Sequence, residues 1–102
     1  MDTSRNVKFS IQADKSLEKI LNYLFREHSK KLQTDFLDKL YFSLNAIKLN
    51  PESFPKSEIN KKQYRCVVSW QTTLYYRFNS KEIRVLALFD TRMNPEKIKK
   101  IK

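Results

Sequence analysis

The chain has no glycine among its 102 residues, one cysteine, one histidine, one tryptophan and three prolines. Without glycine there is no loop of the kind that wraps a phosphate, and no strained elbow presenting a serine nucleophile. The turns also lack the residue that takes a positive φ most readily, so that role falls to Asn79. One cysteine excludes an intrachain disulfide and any thiolate-based zinc site, and Cys66, at an inward-facing strand position, reads as a small apolar core residue. The lone histidine, His28, ends a helical stripe, which leaves none in the second half of the chain to act as a base. No apolar run approaches the ~20 residues of a membrane span, and no hydrophobic signal segment leads the chain. The expectation is a cytoplasmic protein that uses no membrane, metal or cofactor.

What the chain has in quantity is positive charge: 21 Lys and Arg against 11 Asp and Glu, a net +10. Residues 1–55 carry nine basic and seven acidic side chains, whereas residues 56–102 carry twelve and four. A field of one sign over half a small protein attracts nucleic acid or an acidic protein partner.

Hydrophobic periodicity divides the chain into a strand, two helices and three strands, read as one domain over 1–102. Residues 5–11 (RNVKFSI) alternate, with Val7, Phe9 and Ile11 on one side. Asp14 then stands as an N-cap, able to accept from the free N–H groups of a first turn. Leu17, Ile20, Leu21, Leu24 and Phe25 follow at the spacing of one apolar helix face. A second helix runs from about Lys30 to Leu49 with Leu32, Phe36, Leu37, Leu40, Leu44 and Ile47 on its apolar face, widened by Tyr41. The short link between the helices predicts an antiparallel hairpin, and Asn50-Pro51 stops the second helix. Residues 51–62, with two prolines and mixed charges, read as a loop beneath which Phe54 tucks. The tail, PEKIKKIK, reads as a short basic helix or a frayed end.

Three strands follow: QYRCVVSW, TTLYYRF and EIRVLALFD, joined by turns at Gln71-Thr72 and Asn79-Ser80. The last is apolar on both faces, the pattern of a strand in the middle of a sheet. The fold class is therefore α+β, with a helix hairpin covering one face of a mainly antiparallel four-stranded sheet. If Tyr64, Cys66, Val68 and Trp70 face the helices, alternation sends Arg65, Val67 and Ser69 outward. On the second strand Thr73, Tyr75 and Arg77 point the same way. With Ile83, Val85, Ala87 and Phe89 inward, Arg84, Leu86, Leu88 and Asp90 face out. The outer face is then apolar at Val67, Tyr75, Leu86 and Leu88 and cationic at its margins. Such a patch suits a helix or strand from another chain. Arg65, Arg77 and Arg92 are expected to stand with Lys61 and Lys62 near one end of it, where guanidinium groups grip phosphate oxygens bidentately. The same cluster would stabilise charge at phosphorus if a ribose 2′-hydroxyl attacked the adjacent phosphate. Asp90, Glu58 or a lysine would then serve as base and Tyr75 or a lysine as acid, a thin set for that chemistry.

The order of these pieces resembles the RelE/ParE superfamily of toxins from bacterial type II toxin–antitoxin modules. The stretches that carry the likeness are SLEKILNYLFREHS with the second helix, LNPESFP, YRCVVSWQTTLYYRF and IRVLALFDTRMNP. The resemblance implies a sheet in the order 1-4-3-2 and a cognate antitoxin, the acidic partner that the charge calls for. It also implies one of two targets. RelE-like relatives cut messenger RNA on the ribosome, and Arg65 and Arg92 match their basic positions. ParE-like relatives poison DNA gyrase without that catalytic set. Met93, Asn94 and Pro95 stand where the better-equipped nucleases carry a His or Tyr, and the FDTRMNP ending is more similar to the ParE side. A basic nucleic-acid-binding domain without toxin activity is the remaining alternative.

Overall fold

The computed structural model describes residues 5–27, 29–58 and 60–92; His28, Met93, Asn94, Pro95 and the basic tail lie outside the described residues. The elements are β1 (Asn6–Phe9), α1 (Ile11–Glu27), α2 (Lys30–Leu49), a single 3-10 turn (Pro51–Ser53), β2 (Tyr64–Ser69), β3 (Thr72–Phe78) and β4 (Glu82–Asp90). The sheet order is β1-β4-β3-β2. β1 pairs with β4 in parallel and the remaining pairs are antiparallel. The strand that is apolar on both faces is thus an interior one, as its composition requires.

Two serines set the helices. The Ser10 hydroxyl accepts from the Ala13 N–H at 3.0 Å and donates to the Leu86 carbonyl at 3.0 Å. α1 therefore begins four residues earlier than a cap at Asp14 would allow, and Asp14 lies in its first turn, where a carboxylate still favours the helix dipole. Ile11 consequently leaves the first strand for the helix and is 77% exposed. Ser29 caps α2 by accepting from the Leu32 N–H at 3.1 Å, and α2 ends at Asn50-Pro51. α1 packs on β4 and α2 on β2. Leu74, Ile83, Val85 and Ile47 lie fully buried between the layers, each contributing about 1.5–3 kcal/mol. Tyr76 is buried with them and donates its hydroxyl to the Pro51 carbonyl at 2.6 Å. Phe54 packs edge-on against Tyr76, closing the loop after α2 over the core.

Two irregularities change what alternation predicts. On β4 the register passes from Tyr76↔Val85 to Tyr75↔Ala87, so Leu86 is the extra residue of a β-bulge. A bulge reverses the parity of everything after it. Leu88, opposite Leu74, turns inward and is 3% exposed; Asp90, opposite Thr72, turns inward and is 2% exposed. Ala87 and Phe89 take the outward positions, the reverse of the simple alternation. On β2 the strand ends at Ser69, and Trp70 stands in the two-residue turn before Thr72, 88% exposed instead of inward. Cys66 and Val68 are buried as expected.

Asn79 serves its turn by another route than a positive φ, which no described residue adopts. Its side-chain carbonyl accepts from the N–H groups of Lys81 and Glu82 at 2.8 and 2.9 Å, holding the turn closed.

Candidate functional site: the uncovered face of the sheet

With the helices on one side, the other side of the sheet carries three kinds of surface. Its centre is aromatic and apolar. Tyr75 meets Phe89 edge-on at 5.6 Å between ring centroids, beside the 58% exposed Val67. Leu86, at the bulge, is half-buried. Of the four apolar positions expected to meet a partner, Val67, Tyr75 and Leu86 are accessible and Leu88 is not. Phe89 takes its place.

Arg65 is the cross-strand partner of Tyr75. Burial pushes the Tyr75 hydroxyl above its ordinary pKa, against the pull of Arg65, and Glu58 pushes the same way as burial. Tyr75 is therefore a neutral hydrogen-bond donor near pH 7, not a group poised to exchange protons. Lys61 and Lys62 lie exposed in the turn before β2. Lys56 places its ammonium 5.8 Å from the centre of the Tyr64 ring.

The third surface lies at the Asn79 end, where Lys8, Arg84 and Arg77 form a row across β1, β4 and β3. Glu82 is its one acid, 3.0 Å from Arg84 and 3.8 Å from Lys8. Alternation sends Arg84 outward, as found, but Lys8, Glu82 and Arg84 were not expected as site residues. Alternation with Val7 and Phe9 marks Lys8 as outward, but only the parallel register of two strands some seventy-five residues apart brings it beside Arg84.

Arg92 stands elsewhere. It follows β4 at the end where Thr72 pairs with Asp90, whereas Arg77 lies near the other end of β3. Its guanidinium bonds both Asp90 carboxylate oxygens, at 2.9 and 2.6 Å, and its backbone N–H adds a third bond at 2.9 Å. The Thr72 hydroxyl gives Asp90 a fourth, at 2.7 Å. Burial alone would raise the Asp90 pKa; the bonds from Arg92 and Thr72 outweigh it and hold the carboxyl below its ordinary value. Asp90 is thus a buried, ionised anchor, and neither a base nor an outward side chain. Arg92 lines a cleft of ≈ 380 Å³ with Asp35, Asp38, Lys39 and Gln71, on the helix side of the sheet. The expected single cluster accordingly separates. Arg65, Arg77, Lys61 and Lys62 remain toward one end, and Arg92 is engaged at the other.

Known proteins can now be set beside this geometry. The family model for the ParE toxin of the type II toxin–antitoxin system parDE matches residues 7–95. No curated protein sequence matches the chain. Among solved structures, the chromosomal ParDE toxin–antitoxin system from P. aeruginosa is similar with a TM-score of 0.72 at 11% identity, over 87% of this chain and 98% of that one. The YoeB dimer from Staphylococcus aureus gives 0.59 at 20%, over 84% and 95%. The E. coli DinJ–YafQ toxin–antitoxin complex gives 0.58 at 15%, over 88% and 96%. At these identities the likeness to the three structures is one of fold, while the family model reaches across nearly the whole chain. The slab of four strands with its helix hairpin is that of a RelE/ParE superfamily toxin, and the chain belongs to the ParE toxin family of type II toxin–antitoxin systems.

Proposed function

We propose that this toxin arrests growth by inhibiting DNA gyrase through binding, with no chemistry of its own. The observation that carries the reading is the commitment of Arg92 to Asp90. Of the two arginines that would act on a phosphate, one has its fork filled by a buried carboxylate. A guanidinium so held has little left to offer a developing charge at phosphorus. Two of the acid–base candidates are weakened as well. Burial raises the Tyr75 pKa, which makes its hydroxyl a poorer proton donor, and Asp90 is buried and spent. The ParE family match adds to this.

A cognate antitoxin, rich in acidic residues, covers the outer face in this reading. It seats apolar side chains on Val67, Tyr75, Leu86 and Phe89 and neutralises Arg65, Lys61 and Lys62. Arg65 is the target-facing residue whose loss matters most.

The decisive measurement pairs a gyrase supercoiling assay with primer-extension mapping of messages in cells expressing the toxin. Loss of supercoiling with intact messages is expected. Codon-phased cuts with intact supercoiling would overturn the proposal in favour of a RelE-like ribonuclease. Arg65→Ala, which removes no core contact, should relieve growth arrest without lowering the melting temperature. Unrelieved arrest would remove Arg65 from the target surface.

A further inference from the structure

We infer that the row Lys8–Arg84–Arg77 is a binding site for the phosphodiester backbone of nucleic acid, separate from the apolar centre of the outer face. The register places Arg77 directly opposite Arg84, and Arg84 directly opposite Lys8. Like charges directly opposite one another destabilise a sheet. Here three stand in line with one acid among them. Glu82 holds Arg84 and Lys8; Arg77 has no ion pair or hydrogen bond from its side chain among the described residues. One carboxylate offsets only part of this charge and leaves Arg77 uncompensated, and a local rule broken without full internal compensation marks a site that is completed from outside.

The row also has depth. Arg77, Arg84, Glu82, Phe78 and Asn79 line a cleft of ≈ 250 Å³. Arg5 supports its wall, donating to the Asn79 carbonyl at 2.6 Å with its guanidinium 5.5 Å from the centre of the Phe78 ring. Both cations that line the cleft are arginines, whose planar forks meet phosphate oxygens in pairs.

The direction of the row selects the polymer. A peptide that adds to a sheet runs along an edge strand and takes its affinity from main-chain hydrogen bonds. This row runs across the strands, and β4 and β3, which carry its two arginines, have both edges paired. They have no free backbone groups to offer a crossing chain. A ligand lying this way gains affinity from charge, as a phosphodiester backbone does.

The test needs no gyrase, so its outcome is independent of which target the toxin poisons. Binding of a short labelled DNA duplex to the purified toxin is followed by fluorescence anisotropy from about 50 to 200 mM salt. Arg77→Ala with Arg84→Ala should weaken binding about tenfold or more at the low end and reduce the log–log salt slope by about two. Arg77→Ala alone, which breaks no bond and so leaves the fold intact, should reduce the slope by about one. A charge-matched pair on α2, Lys39→Ala with Lys48→Ala, should leave most of the slope in place. An unchanged slope in the arginine variants would overturn the site. So would equal losses in the α2 pair, which would mean a diffuse field from the net charge. Capture of polyglutamate but not duplex through the same arginines would also overturn it, in favour of an acidic protein partner.

Discussion

Two polar regions lie at opposite ends of β3 and β4, and they are built on opposite principles. At the Gln71 end, Thr72, Asp90 and Arg92 satisfy one another: a buried carboxylate takes four hydrogen bonds and is neutralised within the chain. At the Asn79 end, Lys8 and Arg84 share one carboxylate at the surface, and Arg77 beside them has none. The first region completes the fold and the second leaves charge unspent. The lesson is that an arginine's place in the sequence says little about its use. Arg92 and Arg77 look alike as basic residues near strand ends, yet one is structural and the other is free.

The bulge at Leu86 separates the two regions, and overturning the parity it sets is the hardest test of the contrast. Inserting one residue between Ala87 and Leu88 shifts the alternation again, which turns Leu88 and Asp90 outward while Arg84 stays where it is. Loss of cooperative folding is expected, seen as loss of near-ultraviolet circular dichroism. A folded insertion variant would mean that the corner does not depend on this parity. Asp90→Ala comes next. It leaves Arg92 and Thr72 without their acceptor and should cost about 3 kcal/mol in urea denaturation.

The same corner should carry a pH signature. The folded Asp90 pKa lies below its ordinary 3.8, so the folded state binds the proton less readily than the unfolded chain. Its contribution is present above pH ~4 and lost as pH falls through the folded value. Asp90→Asn should flatten that acid limb of the stability curve, and an unaltered limb would place the titration elsewhere. Tyr76→Phe should cost about 1–2 kcal/mol, because the buried Pro51 carbonyl loses its donor. At the other end the expected effect is smallest. Arg77→Thr should change stability by no more than about 0.5 kcal/mol and in the favourable direction, since it relieves a like-charge pair. A clear loss would show that Arg77 supports the fold after all.

Much of the fold was legible before any coordinates. The stripe Phe36, Leu40, Leu44, Ile47 and the stop at Asn50-Pro51 mark α2 to its end, because a helix face and a proline act over a few residues of local chain. The apolar pattern on both faces of β4 placed it inside the sheet. What was not legible depended on single-residue geometry. Trp70 fits the strand alternation and lies outside the strand; Asp14 has the chemistry of a cap, but Ser10 occupies the position. At the site, Arg65, Tyr75 and Val67 were placed on the correct face from alternation alone. Leu88, Asp90 and Phe89 were reversed, because a bulge has no signal in a sequence without glycine.

The sequence by itself determined the layers, the surplus of cations and the family resemblance, since each follows from residue types at short spacing. Only the tertiary structure decided which cations are free. That choice rests on one unpaired residue in β4 and on a parallel register between strands joined through the whole chain, and long-range register of this kind is fixed by packing, not by local preference.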